Sequence, residues 1–185
     1  MDSEPRMLFV GGGSVTNAMN KETLLYIANK ALDLTTPTGL LLPLACRLSV
    51  AFAMAARERG IARTVVVVVD EPLAYDKQAS AAALEELRSA TKYVGFTQDA
   101  YESLPKVAAR AAAWAAKQAQ MLALDAKPLW EYETAARIAL NKQKDVVWID
   151  GTDKGGIKLQ PALSPDNQST APKCRPVTSK RRARS

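Results

Sequence analysis

The stretch "RTVVVVVDEP" constrains the fold of this chain more than any other. Its five consecutive valines, Val65 to Val69, are β-branched and leave neither alternating face polar. A strand of that kind is buried on both sides, as in a parallel sheet sandwiched between helices. The expected class is therefore α/β, with helices on both faces of the sheet. Asp70 and Glu71 close the run. The carboxyl end of a strand in an open α/β sheet is where ligands bind, so this pair is a candidate ligand site. The competing reading is that both carboxylates simply end the strand and face water.

With 185 residues there is room for one well-buried domain, expected over residues 1–160. "MLFV" reads as a first strand running into three glycines, and Leu24, Leu25, Ala28, Ala31 and Leu32 recur at helical spacing up to Leu34. "LLLPLACRLSVAFAMAA" reads as a buried helix with Pro43 in its first turn and Gly60 as its stop. "ASAAALEELRSA" predicts another helix, with Ala83, Leu84 and Leu87 inward and Glu85, Glu86 and Arg88 outward. "KYVGFT" follows as a short inner strand. A helix capped by Thr97 then leads into "PKVAARAAAWAAKQAQMLAL", and "PLWEYETAARIALNKQ" predicts a helix buried on more than one side. "DVVWID" and "IKLQ", joined by "GTDKGG", finish as strands. The expected architecture is a small sheet of three or four strands covered by alanine-rich helices; the alternative is a mainly α bundle with a minor sheet.

Charge is segregated along the chain. Residues 161–185 carry six basic side chains, Lys173, Arg175, Lys180, Arg181, Arg182 and Arg184, against Asp166, whereas residues 1–160 are nearly balanced at 19 basic and 18 acidic. This tail is rich in Pro, Ser and Thr and has no hydrophobic period, so it is expected to be disordered. Its terminal "SKRRARS" suits sequence-independent phosphate contacts, making nucleic acid the expected partner. A nuclear-import address or an anionic-membrane contact is the other use of such a run. Two cysteines, no secretory leader and no membrane-spanning stretch point to a cytoplasmic or nuclear compartment.

The chain has no histidine. That removes the commonest general base and metal ligand and every Ser-His or Cys-His nucleophile pair, which tilts the expectation away from an enzyme. No cofactor and no metal site are assigned; a gathering of Asp70, Glu71, Asp76, Asp150 and Asp153 around Mg²⁺ is a remote option.

What remains is the loop "VGGGSVTNA". On one reading the backbone N–H groups of Gly12, Gly13 and Ser14 hold a phosphate, with Gly11 completing the cradle. On the other, the glycines supply positive φ between strand and helix, and Ser14 or Thr16 caps the helix. These residues resemble the phosphate loop of the iron-dependent alcohol dehydrogenase, glycerol dehydrogenase and dehydroquinate synthase superfamily. Gly11, Gly12, Gly13, Ser14, Val15 and Ala18 match that family's positions, and Asn17 stands where it has aspartate. The resemblance implies backbone contact with a cofactor pyrophosphate. The family's metal site uses histidines, so its dehydrogenase chemistry is not implied here. The leading expectation is a non-enzymatic structural or packaging protein that grips nucleic acid through its tail. The alternatives are an α/β nucleotide- or phosphometabolite-binding enzyme using the GGGS loop, and a self-associating subunit of a larger assembly.

Overall fold

A computed structural model describes residues 5–43, 46–68, 81, 85–86, 88–151 and 156–161. In chain order the elements are β1 (Met7–Gly11), α1 (Ser14–Asn17), α2 (Lys21–Thr35), β2 (Gly39–Pro43), α3 (Arg47–Glu58), β3 (Ala62–Val68), β4 (Lys92–Phe96), α4 (Leu104–Gln118), β5 (Met121–Asp125), α5 (Trp130–Asn141), β6 (Asp145–Ile149) and β7 (Ile157–Gln160). The strands form one seven-stranded sheet in the order β4-β3-β2-β1-β5-β6-β7. All neighbours are parallel except β6 and β7.

Alternation along each strand divides the core into two layers. Leu8, Val10, Leu40, Leu42, Val65, Ala123 and Val147 pack under α2 and α3. Phe9, Leu41, Val66, Leu122, Leu124 and Val146 pack under α4 and α5. Val65 and Val66 are therefore buried on opposite faces, as the valine run predicts. Alanines at 111, 112, 115 and 116 form the buried stripe of α4, in keeping with alanine's high helix propensity.

The sheet has seven strands, not three or four, and it is no mere decoration of a helical bundle. The two unforeseen strands, β2 and β5, are five-residue runs buried at every position, "GLLLP" and "MLALD". Leucine-rich runs of that length have no strand period, so they merge in sequence with the adjoining helices. Pro43 accordingly ends β2 instead of opening a helix. The fourth helix begins at Leu104 behind Ser103, with Thr97 in the preceding loop. On α5 the buried residues are Tyr132, Ala135 and Ala139, a single stripe, while Trp130 and Leu140 are half exposed. "KYVGF" is an edge strand with exposed side chains. Asn20 caps α2 by accepting from the Thr23 N–H at 2.8 Å, and Gly60 lies just past α3 at φ +68°.

The greatest departure is Glu86, which points into the protein. It pairs with Arg63 at 2.5 Å and Arg57 at 3.0 Å. Position on an amphipathic helix predicted solvent; two arginines from α3 and β3 supply the countercharge that makes burial possible.

Candidate functional site

From β1 the chain steps outward through β2 and β3 to β4, then returns to lay β5 on the other side of β1. The order reverses between β1 and β5. In a doubly wound sheet that reversal opens a crevice beyond the carboxyl ends of the two strands, where such proteins take their ligands. The triple glycine lies at this point, since Gly11 is in register with Leu124 and Asp125 is the next residue of β5.

The two loops leaving the crevice are stitched together. Ser14 N–H donates to the Lys127 carbonyl at 3.0 Å, and Leu129 N–H donates to the Gly12 carbonyl at 3.1 Å. Asp125, fully buried, accepts from Thr16 N–H and from Lys127 N–H, both at 2.7 Å. The Thr16 hydroxyl accepts from Gly13 N–H at 3.1 Å and donates to the Gly13 carbonyl at 3.2 Å. The carboxylate thus meets the positive end of the short α1 from within the protein.

This geometry explains the glycines by proximity. A Cβ on Gly13 would overlap the Lys127 carbonyl oxygen and lie 2.6 Å from Asp125 Cγ; one on Gly12 would lie 2.9 Å from Cys46 Sγ. Positive φ is found at Gly60, Gly151 and Gly156 and not in the triple glycine, which corrects that part of the turn reading. Gly13 has extended backbone and is itself the N-cap of α1, with Thr16 supplying the side-chain oxygen.

Several polar and cationic groups are exposed around this floor. Ser14, Asn17 and Lys127 face solvent, and Arg47, at the start of α3, is partly exposed. Arg47 Nη1 donates to the Asn17 carbonyl at 3.1 Å, which holds its guanidinium against α1. Neither Arg47 nor Lys127 has an ion-pair partner among the described residues. Beneath them Cys46 is buried with its sulfur 3.0 Å from Ser49 Oγ; burial pushes its thiol pKa up, so it stays protonated at neutral pH. It is a packing group with no nucleophilic readiness.

The structure gathers Gly11, Gly12, Gly13 and Ser14 with Asp125, Lys127 and Arg47, three residues that the sequence did not mark. Asp125 was concealed because "MLALD" merged with a helix. Asp70, Glu71, Asp76 and Asp153 lie outside the described residues, as do Lys173, Arg175, Lys180, Arg181, Arg182 and Arg184. Among the described residues no group of three or more Cys, Asp or Glu could hold a metal ion. No helix there is long and apolar enough to cross a membrane. A separate cleft of about 340 Å³ at the opposite sheet edge is lined by Lys117, Gln120, Gln143, Lys144 and Asp145. Its Lys144 ammonium is already engaged by the carbonyls of Ala116, Lys117 and Ala119 at the end of α4.

Fold and site together define a doubly wound, mostly parallel α/β protein with a glycine loop at its switch point. Among solved structures it is similar to DNA processing protein A (DprA) from Streptococcus pneumoniae, at 17% identity and a TM-score of 0.56. The match covers 82% of this chain and 53% of that one, so the chain spans about half the length of the pneumococcal protein. A second similar structure is the molybdenum cofactor carrier protein MCP from Chlamydomonas reinhardtii, at 14% identity and a TM-score of 0.48, covering 78% of this chain and 76% of that one. No family model and no curated protein sequence matches the chain.

Proposed function

We propose that this protein binds a nucleotide or a phosphorylated metabolite at the carboxyl edge of its sheet, above the stitched loops at the β1–β5 reversal. The observation that carries the reading is the coincidence of a glycine loop, the topological switch point and two cations without ion-pair partners among the described residues. Gly13 and Ser14 spend their N–H groups on Thr16 and Lys127. The phosphate contacts are therefore assigned to the Ser14 hydroxyl and the Lys127 ammonium, with Gly11 to Gly13 shaping the floor. Ligand at ten times its Kd adds about 1.4 kcal/mol, or about 3–5 °C in Tm for a chain of this size. A shift of that order is expected in thermal-denaturation scans with millimolar mono-, di- and trinucleotides and nicotinamide dinucleotides. It should disappear in Ser14→Ala combined with Lys127→Ala, whose unliganded Tm should be unchanged because both side chains are exposed. A wild-type chain that shifts with none of these ligands overturns the reading.

A second reading, favoured by the charged run Lys180 to Arg184, is that the carboxyl-terminal segment binds nucleic acid without sequence preference. Six phosphate contacts would lose about a thousandfold in affinity between 50 and 200 mM salt. A chain ending at Pro172 should lose that affinity and its salt dependence in filter binding with mixed RNA and DNA; unchanged binding at low salt removes this reading and leaves the first intact.

A further inference from the structure

The strand beside the glycine-loop strand matters for what the site selects. In a doubly wound sheet the carboxyl end of this neighbour lies at the ribose of a nucleotide whose phosphate is over the glycine loop. An acidic side chain there accepts from the free ribose hydroxyls, whereas a guanidinium accommodates a phosphate on the same sugar. In this protein the neighbour is β2. The segment from Gly39 to Ser49, which spans β2 and the first residues of α3, carries one charged side chain, Arg47. Its Nη1 bond to the Asn17 carbonyl orients the guanidinium across the end of α1, three positions beyond Ser14. A guanidinium has five N–H donors in a fixed fork, and that contact leaves donors for a bidentate anion.

From this placement we infer that Arg47 is a specificity determinant: the site prefers a nucleotide whose ribose carries a second phosphate over one with a free ribose diol. The inference rests on the phosphate site proposed above. Arg47 reads the sugar phosphate, and Ser14 with Lys127 reads the 5′-phosphate.

Isothermal titration of the full chain with adenosine 2′,5′-bisphosphate, adenosine 3′,5′-bisphosphate and adenosine 5′-monophosphate tests it. One of the bisphosphates should bind about tenfold or more tighter than the monophosphate, the range of a charge-assisted bidentate pair. Arg47→Ala should bring that bisphosphate to within about twofold of the monophosphate measured on the same variant. Arg47→Lys, which keeps the charge without the fork, should retain part of the preference and guards against a variant that fails to fold. If the monophosphate and both bisphosphates bind the wild type equally, the inference falls while the phosphate site stands. A preference that survives Arg47→Ala overturns it too, because general electrostatics would then account for the extra phosphate. Absence of binding by all three removes the inference; if the nucleotides and dinucleotides of the thermal scans also fail, the site itself falls with it.

Discussion

Replacing Glu86 by alanine is expected to cost about 3–5 kcal/mol of folding stability, the usual penalty for orphaning one member of a buried ion pair. The Glu86 side chain is 2% exposed and the Arg63 side chain 8%, so neither charge has water as a substitute partner. Glu86 Oε2 takes the Arg63 Nη1 bond at 2.5 Å, while Ser89 accepts from the same head group through its hydroxyl at 3.1 Å and its carbonyl at 2.5 Å. Arg63 Nε already has no partner among the described residues, so the guanidinium has little spare solvation when the carboxylate leaves. Arg57, the second partner, is 41% exposed and can turn to water; Arg57→Ala should therefore cost about 1 kcal/mol or less. Urea titrations at neutral pH read the differences directly. The double replacement of Arg63 by Met and Glu86 by Leu should recover most of the loss, since an apolar pair of similar volume carries no desolvation penalty. A Glu86→Ala chain within about 1 kcal/mol of wild type would mean that water reaches Arg63 and that the pair is not a closed unit.

Gly13→Ala is the second large effect, at about 3 kcal/mol, combining overpacking with loss of buried hydrogen bonds. The new Cβ meets the Lys127 carbonyl oxygen and the Asp125 side chain, with Asp125 Cβ only 2.8 Å away. Those neighbours cannot retreat freely. Lys127 is tied to Ser14, and Asp125 is tied to Thr16 and Lys127, so any movement that admits the methyl breaks part of the stitching. Gly60→Ala is the matched control: it has positive φ and nothing within 4 Å, and should cost about 1 kcal/mol through backbone strain alone. Asp125→Asn completes the series. Its amide must present NH₂ to one of the two N–H donors, of Thr16 and Lys127, which leaves a donor facing a donor and costs about 1–3 kcal/mol. If Gly13→Ala unfolds at the same urea concentration as wild type, the two loops are not braced as described. These losses concern folding and are read without ligand, which separates them from the nucleotide shifts expected at Ser14 and Lys127.

Much of the frame was legible in the sequence. Five valines in a row required a strand covered on both faces, and Val65 and Val66 do lie under different helix pairs. The helical period of Leu24, Ala28, Ala31 and Leu32 announced α2, and Gly60 after "RER" announced the end of α3. The final two strands were also read, because "DVVW" and "IKL" are bounded by turn residues. Leucine is ambiguous where valine is not. "GLLLP" and "MLALD" are buried on both faces, lack β-branching and abut helices, so local pattern carried no information about their state. Losing β5 also hid the reversal of strand order, and with it the place of Asp125.

Sequence alone pointed to an α/β layer structure, with a mainly α bundle as its alternative, and determined that "GGG" joins a strand to a helix and that basic charge gathers at one end. Those properties depend on neighbours within a few residues, through side-chain branching, period and caps. Tertiary structure alone decided why the glycines must be glycines and why Glu86 is buried. The Asp125 carboxylate that meets Thr16 is 109 residues away along the chain, and Arg63 is 23 residues from Glu86. A buried charge or a missing Cβ is tolerated only for what lies across from it, and strand order, which no local pattern encodes, sets what that is.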